Sequence, residues 1–116
     1  MRENKIRGIN MIDKLIEKII AMQNPTCVGL DTDFGYLPEE MREGVSDFSA
    51  AAARITEFNK NIIDSVCDVV PSVKVQIAYY EMYGFEGVKA FYDTVGYARG
   101  KGLIVIADCK RNDIGS

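Results

Sequence analysis

The chain has 116 residues, enough for one ordinary domain at most, and 47% of them are hydrophobic while 27% are charged. Its 17 acidic residues outnumber its 14 basic ones, so the formal charge is −3 and no polybasic surface is available for nucleic acid or an anionic membrane. The absence of histidine excludes serine–histidine and cysteine–histidine nucleophile pairs and the zinc sites that need imidazole.

An amphipathic helix is predicted at residues 8–23, where isoleucine and leucine side chains recur at helical spacing with charged residues between them. Asn24 and Pro25 end it, because proline disfavours helical backbone at the preceding residue and has no N–H to donate. We therefore expect a leading helix within residues 1–24.

A short buried strand is predicted at residues 26–30, and Asp31 follows it directly. Residues 32–44 hold glycines and a proline among acidic and polar side chains, which predicts a long loop without a regular element. Long loops that follow strands often carry function, so this loop is a candidate rim of a site.

The second helix is expected to begin after a cap at Ser46 or Asp47. Its predicted buried face consists of apolar residues at helical spacing: Phe48, Ala51, Ala52, Ile55, Phe58, Ile62 and Val66. Pro71 separates this helix from a second predicted strand at residues 72–77.

Gly84 and Gly87 bracket the start of a third predicted helix, and Gly100 and Gly102 end it. Its apolar face is predicted to comprise Val88, Phe91, Tyr92, Val95 and Ala98. The aromatic group Tyr79, Tyr80, Tyr83 and Phe85 is interpreted as packing rather than as a base-stacking platform, because no basic residues interleave with it. Residues 103–108 form the strongest strand signal, β-branched and apolar on both faces.

Strands that alternate with helices predict right-handed crossovers and a parallel sheet in an α/β fold. Three such strands leave sheet edges unpaired and much of one face uncovered, which complete folds avoid. A closed eight-stranded barrel takes about 250 residues. We therefore expect residues 1–116 to be the first part of a (β/α)8 TIM barrel, with strands 1 to 3 and their helices in residues 25–116.

Each predicted strand carries or ends in an ionisable residue, and parallel strands bring their carboxyl ends to one edge of the sheet. Asp108 and Lys110 emerge on one face of the third strand, because side chains alternate along a strand. Asp31 and Lys74 are expected to converge with them. Alternating acids and ammonium groups hold each lysine rigid and suit the stabilisation of a developing carbanion or enolate.

Cys27, Cys67 and Cys109 form no CxxC motif and leave one thiol unpaired in any disulfide scheme, which is typical of reduced thiols in the cytoplasm. Acidic residues interrupt the start of the chain, unlike a signal or transit peptide. No stretch approaches the roughly 20 apolar residues of a membrane span. A cytoplasmic protein without membrane or nucleic-acid partners is predicted.

Four motifs occur in chain order: Gly29-Leu30-Asp31, Phe58-Asn59-Lys60 with Ile62-Ile63-Asp64, Val73-Lys74-Val75-Gln76-Ile77-Ala78 with Tyr80-Glu81, and Asp108-Cys109-Lys110-Arg111-Asn112-Asp113-Ile114. Together they resemble the longer bacterial branch of the orotidine 5′-phosphate decarboxylase family, in its N-terminal portion. The DxKxxD run alone is shared with sister enzymes and indicates only a superfamily.

The resemblance implies decarboxylation of orotidine 5′-monophosphate (OMP) to UMP, the last step of de novo pyrimidine synthesis, by a homodimer without a metal or organic cofactor. Asp31 would bind the ribose, and Lys74 would hydrogen-bond the ribose and the first acid of the network. Asp108 would face the substrate carboxylate, and Lys110 would be the proton donor to C6 after carbon dioxide leaves.

The resemblance also implies that Asp113 reaches the neighbouring subunit's site and that Ile114 lines the pyrimidine pocket. In the family, the phosphate is held by backbone amides and an arginine from the last strands of the barrel, which these 116 residues do not include. Phosphate binding supplies energy that is used at the reacting carbon. We therefore expect no measurable turnover from this chain alone.

Two alternatives remain open. One is a magnesium-dependent sugar-phosphate decarboxylase or aldol enzyme of the same barrel superfamily, although that group usually has a metal-binding carboxylate where this chain has Lys74, whose charge would repel Mg²⁺. The other is a non-catalytic half-barrel that associates with itself or with a partner through its open sheet edges.

Overall fold

A computed structural model describes the backbone of residues 2–108 and the side chains of residues 12–108. Three predicted site residues, Lys110, Asp113 and Ile114, lie outside the described residues. The helices are α1 (Arg2–Met22), α2 (Glu39–Arg42), α3 (Phe48–Val66), α4 (Ala78–Glu81) and α5 (Gly84–Gly100), and the strands are β1 (Cys27–Gly29), β2 (Ser72–Gln76) and β3 (Ile104–Asp108).

The strands form one parallel sheet in the order β1-β2-β3, which confirms the predicted α/β fold. Helices α3 and α5 cover one face of this sheet, where Val73, Val75 and Val105 are buried with Ile55 and Phe91 in one core. The opposite face, called here the open face, carries alternate residues of each strand: Cys27, Gly29, Ser72, Lys74, Gln76, Ile104, Ile106 and Asp108. Ile106 on this face is 44% exposed.

The segment predicted as an irregular loop, residues 32–44, contains two short regular elements, so that prediction was wrong in detail. Asp33 caps a 3-10 turn at Phe34–Tyr36 by accepting the Gly35 N–H at 2.8 Å, and α2 follows. Such single turns depend on local caps and tertiary contacts more than on periodicity.

Other element bounds also differ from the predictions. Helix α1 begins at Arg2 rather than near residue 8, and β1 is shorter than predicted. Strand β2 ends at Gln76, because Ile77 already has helical backbone angles and leads into α4, which was not predicted. Helix α4 holds Tyr80 in a buried position, where its hydroxyl reaches the Leu30 carbonyl just after β1.

Two residues were wrongly assigned to buried helix faces. Phe48, the first residue of α3, is 60% exposed and meets the Tyr83 ring edge-on with centroids 5.9 Å apart. Tyr92 is 62% exposed and packs edge-on against Phe91. Both positions have the right helical phase but lie beyond the area that the neighbouring elements cover.

The predicted cap of α3 is confirmed at Asp47, whose carboxylate accepts the Ala50 N–H at 2.8 Å. The end of α1 is also as predicted, since the helix stops at Met22 and Gln23 takes a left-handed conformation with a φ of 53°. The Asn24 side chain then donates to the Val69 carbonyl at 2.7 Å.

Candidate functional site at the carboxyl edge of the sheet

The register of the sheet brings three of the predicted site residues to the same region. Lys74 pairs with Gly29 and Ile106, and Gln76 pairs with Asp108, so Lys74 and Asp108 share the open face near the carboxyl ends of β2 and β3. Asp31 follows β1 at the same edge. All three side chains are partly buried.

Backbone and side-chain hydrogen bonds fix the ends of the strands relative to one another. The Leu30 N–H donates to the Lys74 carbonyl at 2.8 Å, and the Ile77 N–H donates to the Asp108 carbonyl at 2.9 Å. The Asp31 carboxylate accepts the Gln76 N–H at 3.3 Å. This hydrogen bond ties Asp31 to the end of β2.

Lys74 takes part in none of the three ion pairs formed among the described side chains, all of which lie at exposed positions. Lys74 is partly buried, and the sheet register places it on the open face. A lysine placed in this way is suited to donate hydrogen bonds to an anionic or hydroxyl-rich ligand at the carboxyl edge.

A buried polar network behind this edge was missed in the sequence. It consists of Thr32, Asn59, Tyr80 and Thr94, and each of these side chains is at most 4% exposed. Asn59 lies at its centre and joins the end of β1 to helices α4 and α5. A signal was present, because Asn59 sits between Ile55 and Ile63 at helical spacing on the buried face of α3.

Tyr80 stays a neutral phenol in this network. Burial raises its pKa to about 12, an effect that the hydrogen bond from Asn59 only partly offsets. Its O–H therefore remains a donor at neutral pH and donates to the Leu30 carbonyl. A neutral, immobile donor of this kind positions backbone rather than transferring protons.

The predicted aromatic group divides into two pairs. Tyr80 and Tyr83 are buried, which confirms the packing role for these two, whereas Tyr79 and Phe85 are exposed. Tyr83 also accepts the Phe34 N–H at 2.9 Å, so it anchors the loop that follows β1.

Among the described residues, no group of three or more His, Cys, Asp or Glu side chains is arranged to hold a metal ion. Over the same part of the chain, no helix has both the length and the apolar character that crossing a membrane requires.

The fold defines a class, since three parallel strands in sequential order, joined by helices that cover one face, have the arrangement of a segment of a (β/α)8 barrel. Proteins of this class have their sites at the carboxyl edge of the sheet. No protein-family model matches the chain. A crystal structure from Streptomyces avermitilis, described as an orotidine 5′-phosphate decarboxylase, superposes with a TM-score of 0.62 at 29% sequence identity. The match covers 89% of this chain and 34% of that one.

Curated relatives of the chain are also named orotidine 5′-phosphate decarboxylase. The orotidine 5′-phosphate decarboxylase of Clostridium perfringens (strain 13 / Type A) is 47% identical over 102 residues, which cover 88% of this chain and 34% of the relative. Those of Clostridium acetobutylicum and Petrotoga mobilis are 46% and 42% identical over 90% and 91% of this chain. These matches confirm the resemblance seen in the sequence, and the chain spans about a third of the length of these relatives.

Proposed function

We propose that the chain is the first part of an orotidine 5′-phosphate decarboxylase barrel and contributes one side of its active site. The observation that carries this proposal is that Asp31, Lys74 and Asp108, which match the motifs of that family, lie together at the carboxyl edge of a parallel sheet. Identity of 47% over 102 residues to a decarboxylase of that name supports it.

In the proposed reaction, the bond between C6 of the pyrimidine and its carboxylate breaks, carbon dioxide leaves, and the electron pair stays on C6. The ammonium group of Lys110 stabilises this carbanion and then transfers a proton to C6, which gives UMP. Asp108 faces the departing carboxylate. A charged, fixed lysine suits both steps because it does not need to reorganise as the negative charge develops.

The remaining residues hold the nucleotide. Asp31 binds the ribose, and Lys74 donates hydrogen bonds to the ribose and to Asp108. Ile114 lines the pyrimidine pocket, and Asp113 reaches the site of the neighbouring subunit in a cytoplasmic homodimer. No metal or organic cofactor takes part. The partner in binding is the small-molecule substrate, with no role for nucleic acid or a membrane.

The phosphate-binding residues of the family lie in strands that these 116 residues do not include. Ile106 on the open face is 44% exposed, which supports the view that further strands close the barrel over this part of the sheet. Remote phosphate binding supplies energy for the chemical step. Turnover therefore requires the complete barrel.

The test uses a completed barrel, defined as this chain joined to the rest of the Clostridium perfringens (strain 13) relative in place of the segment that it matches. The completed barrel is expected to convert OMP to UMP in the presence of EDTA, and Lys110→Ala is expected to abolish the conversion. A folded completed barrel that forms no UMP, or one that requires Mg²⁺, contradicts the proposal. UMP formation by the 116-residue chain alone contradicts the requirement for the rest of the barrel.

A further inference from the structure

The buried network centred on Asn59 leads from the helical layer to both neighbours of Asp31. The Asn59 side-chain oxygen accepts the Thr32 hydroxyl proton at 2.6 Å. Its amide nitrogen donates to the Tyr80 hydroxyl at 2.9 Å and to the Thr94 hydroxyl at 3.0 Å. One fully buried amide thus uses its oxygen and both of its N–H groups.

The direction of each hydrogen bond is fixed by the donors available. Tyr80 has a single hydroxyl proton, which it donates to the Leu30 carbonyl, so its oxygen must accept from Asn59. This orients the amide with its nitrogen toward Tyr80 and its oxygen toward Thr32. None of the buried side-chain nitrogen and oxygen atoms in the described residues lacks a partner.

Two arms of the network end beside Asp31, and the third does not. The first arm holds the Thr32 side chain, and the second arm holds the Leu30 carbonyl through Tyr80. These are the residues immediately before and after Asp31, whose carboxylate is in turn held by the Gln76 N–H. The third arm joins Asn59 to Thr94 in α5, and no side-chain hydrogen bond among the described residues links Thr94 to either neighbour of Asp31.

Close packing leaves Tyr80 little freedom to move. A Cβ atom built at Gly87 in α5 would lie 1.9 Å from the Tyr80 carbonyl oxygen, so α5 packs directly on the backbone of α4. The Tyr80 side chain is 0% exposed and its ring meets Phe91 edge-on. The network is therefore rigid enough to transmit its geometry to the β1 end.

We propose that Asn59 is a positioning residue for Asp31, which it orients toward the ribose through Thr32 on one side and through Tyr80 and Leu30 on the other. This proposal rests on the proposed function, because it assigns the ribose contact to Asp31. Asn59 itself touches no substrate. Its effect on catalysis is expected to disappear when the Asp31 carboxylate is absent.

The matched variants Thr32→Val and Thr94→Val test this in the completed barrel. Each variant removes one threonine hydroxyl that is hydrogen-bonded to Asn59 and keeps the shape of the side chain. Both variants therefore leave part of the same buried amide unsatisfied and should lower the melting temperature by similar amounts. Only Thr32→Val breaks an arm that reaches Asp31. We expect its kcat/KM for OMP to fall about tenfold, chiefly through KM, and that of Thr94→Val to change less than about twofold.

A double-mutant cycle with Asp31→Asn separates positioning from a general loss of structure. In the Asp31→Asn background, Thr32→Val is expected to have no further effect on kcat/KM, because the group it positions is gone. Equal losses for Thr32→Val and Thr94→Val, or a full tenfold loss for Thr32→Val in the Asp31→Asn background, overturn the proposal. Neither of these results would contradict the proposed function. The proposed function fails if the unsubstituted completed barrel forms no UMP.

Discussion

Replacement of Asn59 by alanine is the most informative test of the buried network as a source of stability. The substitution removes three side-chain hydrogen bonds, to Thr32, Tyr80 and Thr94, all in a region shielded from water. A typical hydrogen bond contributes about 1 kcal/mol net, and unsatisfied buried partners add to the cost. We therefore expect the free energy of unfolding to fall by at least about 3 kcal/mol.

Equilibrium urea unfolding of the completed barrel, followed by circular dichroism, measures this change. Asn61→Ala is the matched control, since Asn61 lies on the exposed side of the same helix and should change stability by less than about 0.5 kcal/mol. A loss below about 1 kcal/mol for Asn59→Ala would contradict this expectation, because the network would then contribute no more than one ordinary hydrogen bond.

Three further predictions concern packing, titration and capping. Gly87→Ala should destabilise the protein strongly, because the new Cβ would lie 1.9 Å from the Tyr80 carbonyl oxygen. Gly96 has open space around it, so Gly96→Ala should stabilise α5 by up to about 1 kcal/mol. Urea unfolding measures both changes. The pKa of Tyr80 is raised to about 12, so the stability that its neutral hydroxyl contributes is present below pH 10 and is lost as the pH rises from 10 to 12. The fall in the free energy of unfolding over that pH range should therefore be smaller in Tyr80→Phe. Asp47→Ala removes the cap of α3 and should cost about 1 kcal/mol in the same unfolding assay; an unchanged midpoint would contradict the capping role.

The parallel sheet and its faces were predictable because they depend on local patterns. Apolar runs bounded by glycine and proline predict β2 and β3, and the alternation of side chains along strands predicts that Lys74 and Asp108 lie on one face. The position of Asp31 at the same edge as the carboxyl ends of the other strands followed from the common direction of parallel strands. The structure confirms these placements for the described residues, whereas the roles of Lys110, Asp113 and Ile114 stay predictions.

The network around Asn59 was not predictable in the same way. Periodicity shows that Asn59 points inward, but its partners Thr32, Tyr80 and Thr94 are 27, 21 and 35 residues away and meet only when the helices pack on the sheet. Phe48 was wrongly predicted as buried for a related reason. Helical phase gives the direction of a side chain and not the extent of the surface that covers it.

A crystal structure of the completed barrel with bound UMP would show whether the carboxyl edge of the sheet holds the nucleotide. We expect the nucleotide to lie over the carboxyl edge of the sheet, with an Asp31 carboxylate oxygen and the Lys74 ammonium each within about 3.2 Å of a ribose hydroxyl. UMP bound elsewhere, or a ribose that contacts neither Asp31 nor Lys74, would contradict it.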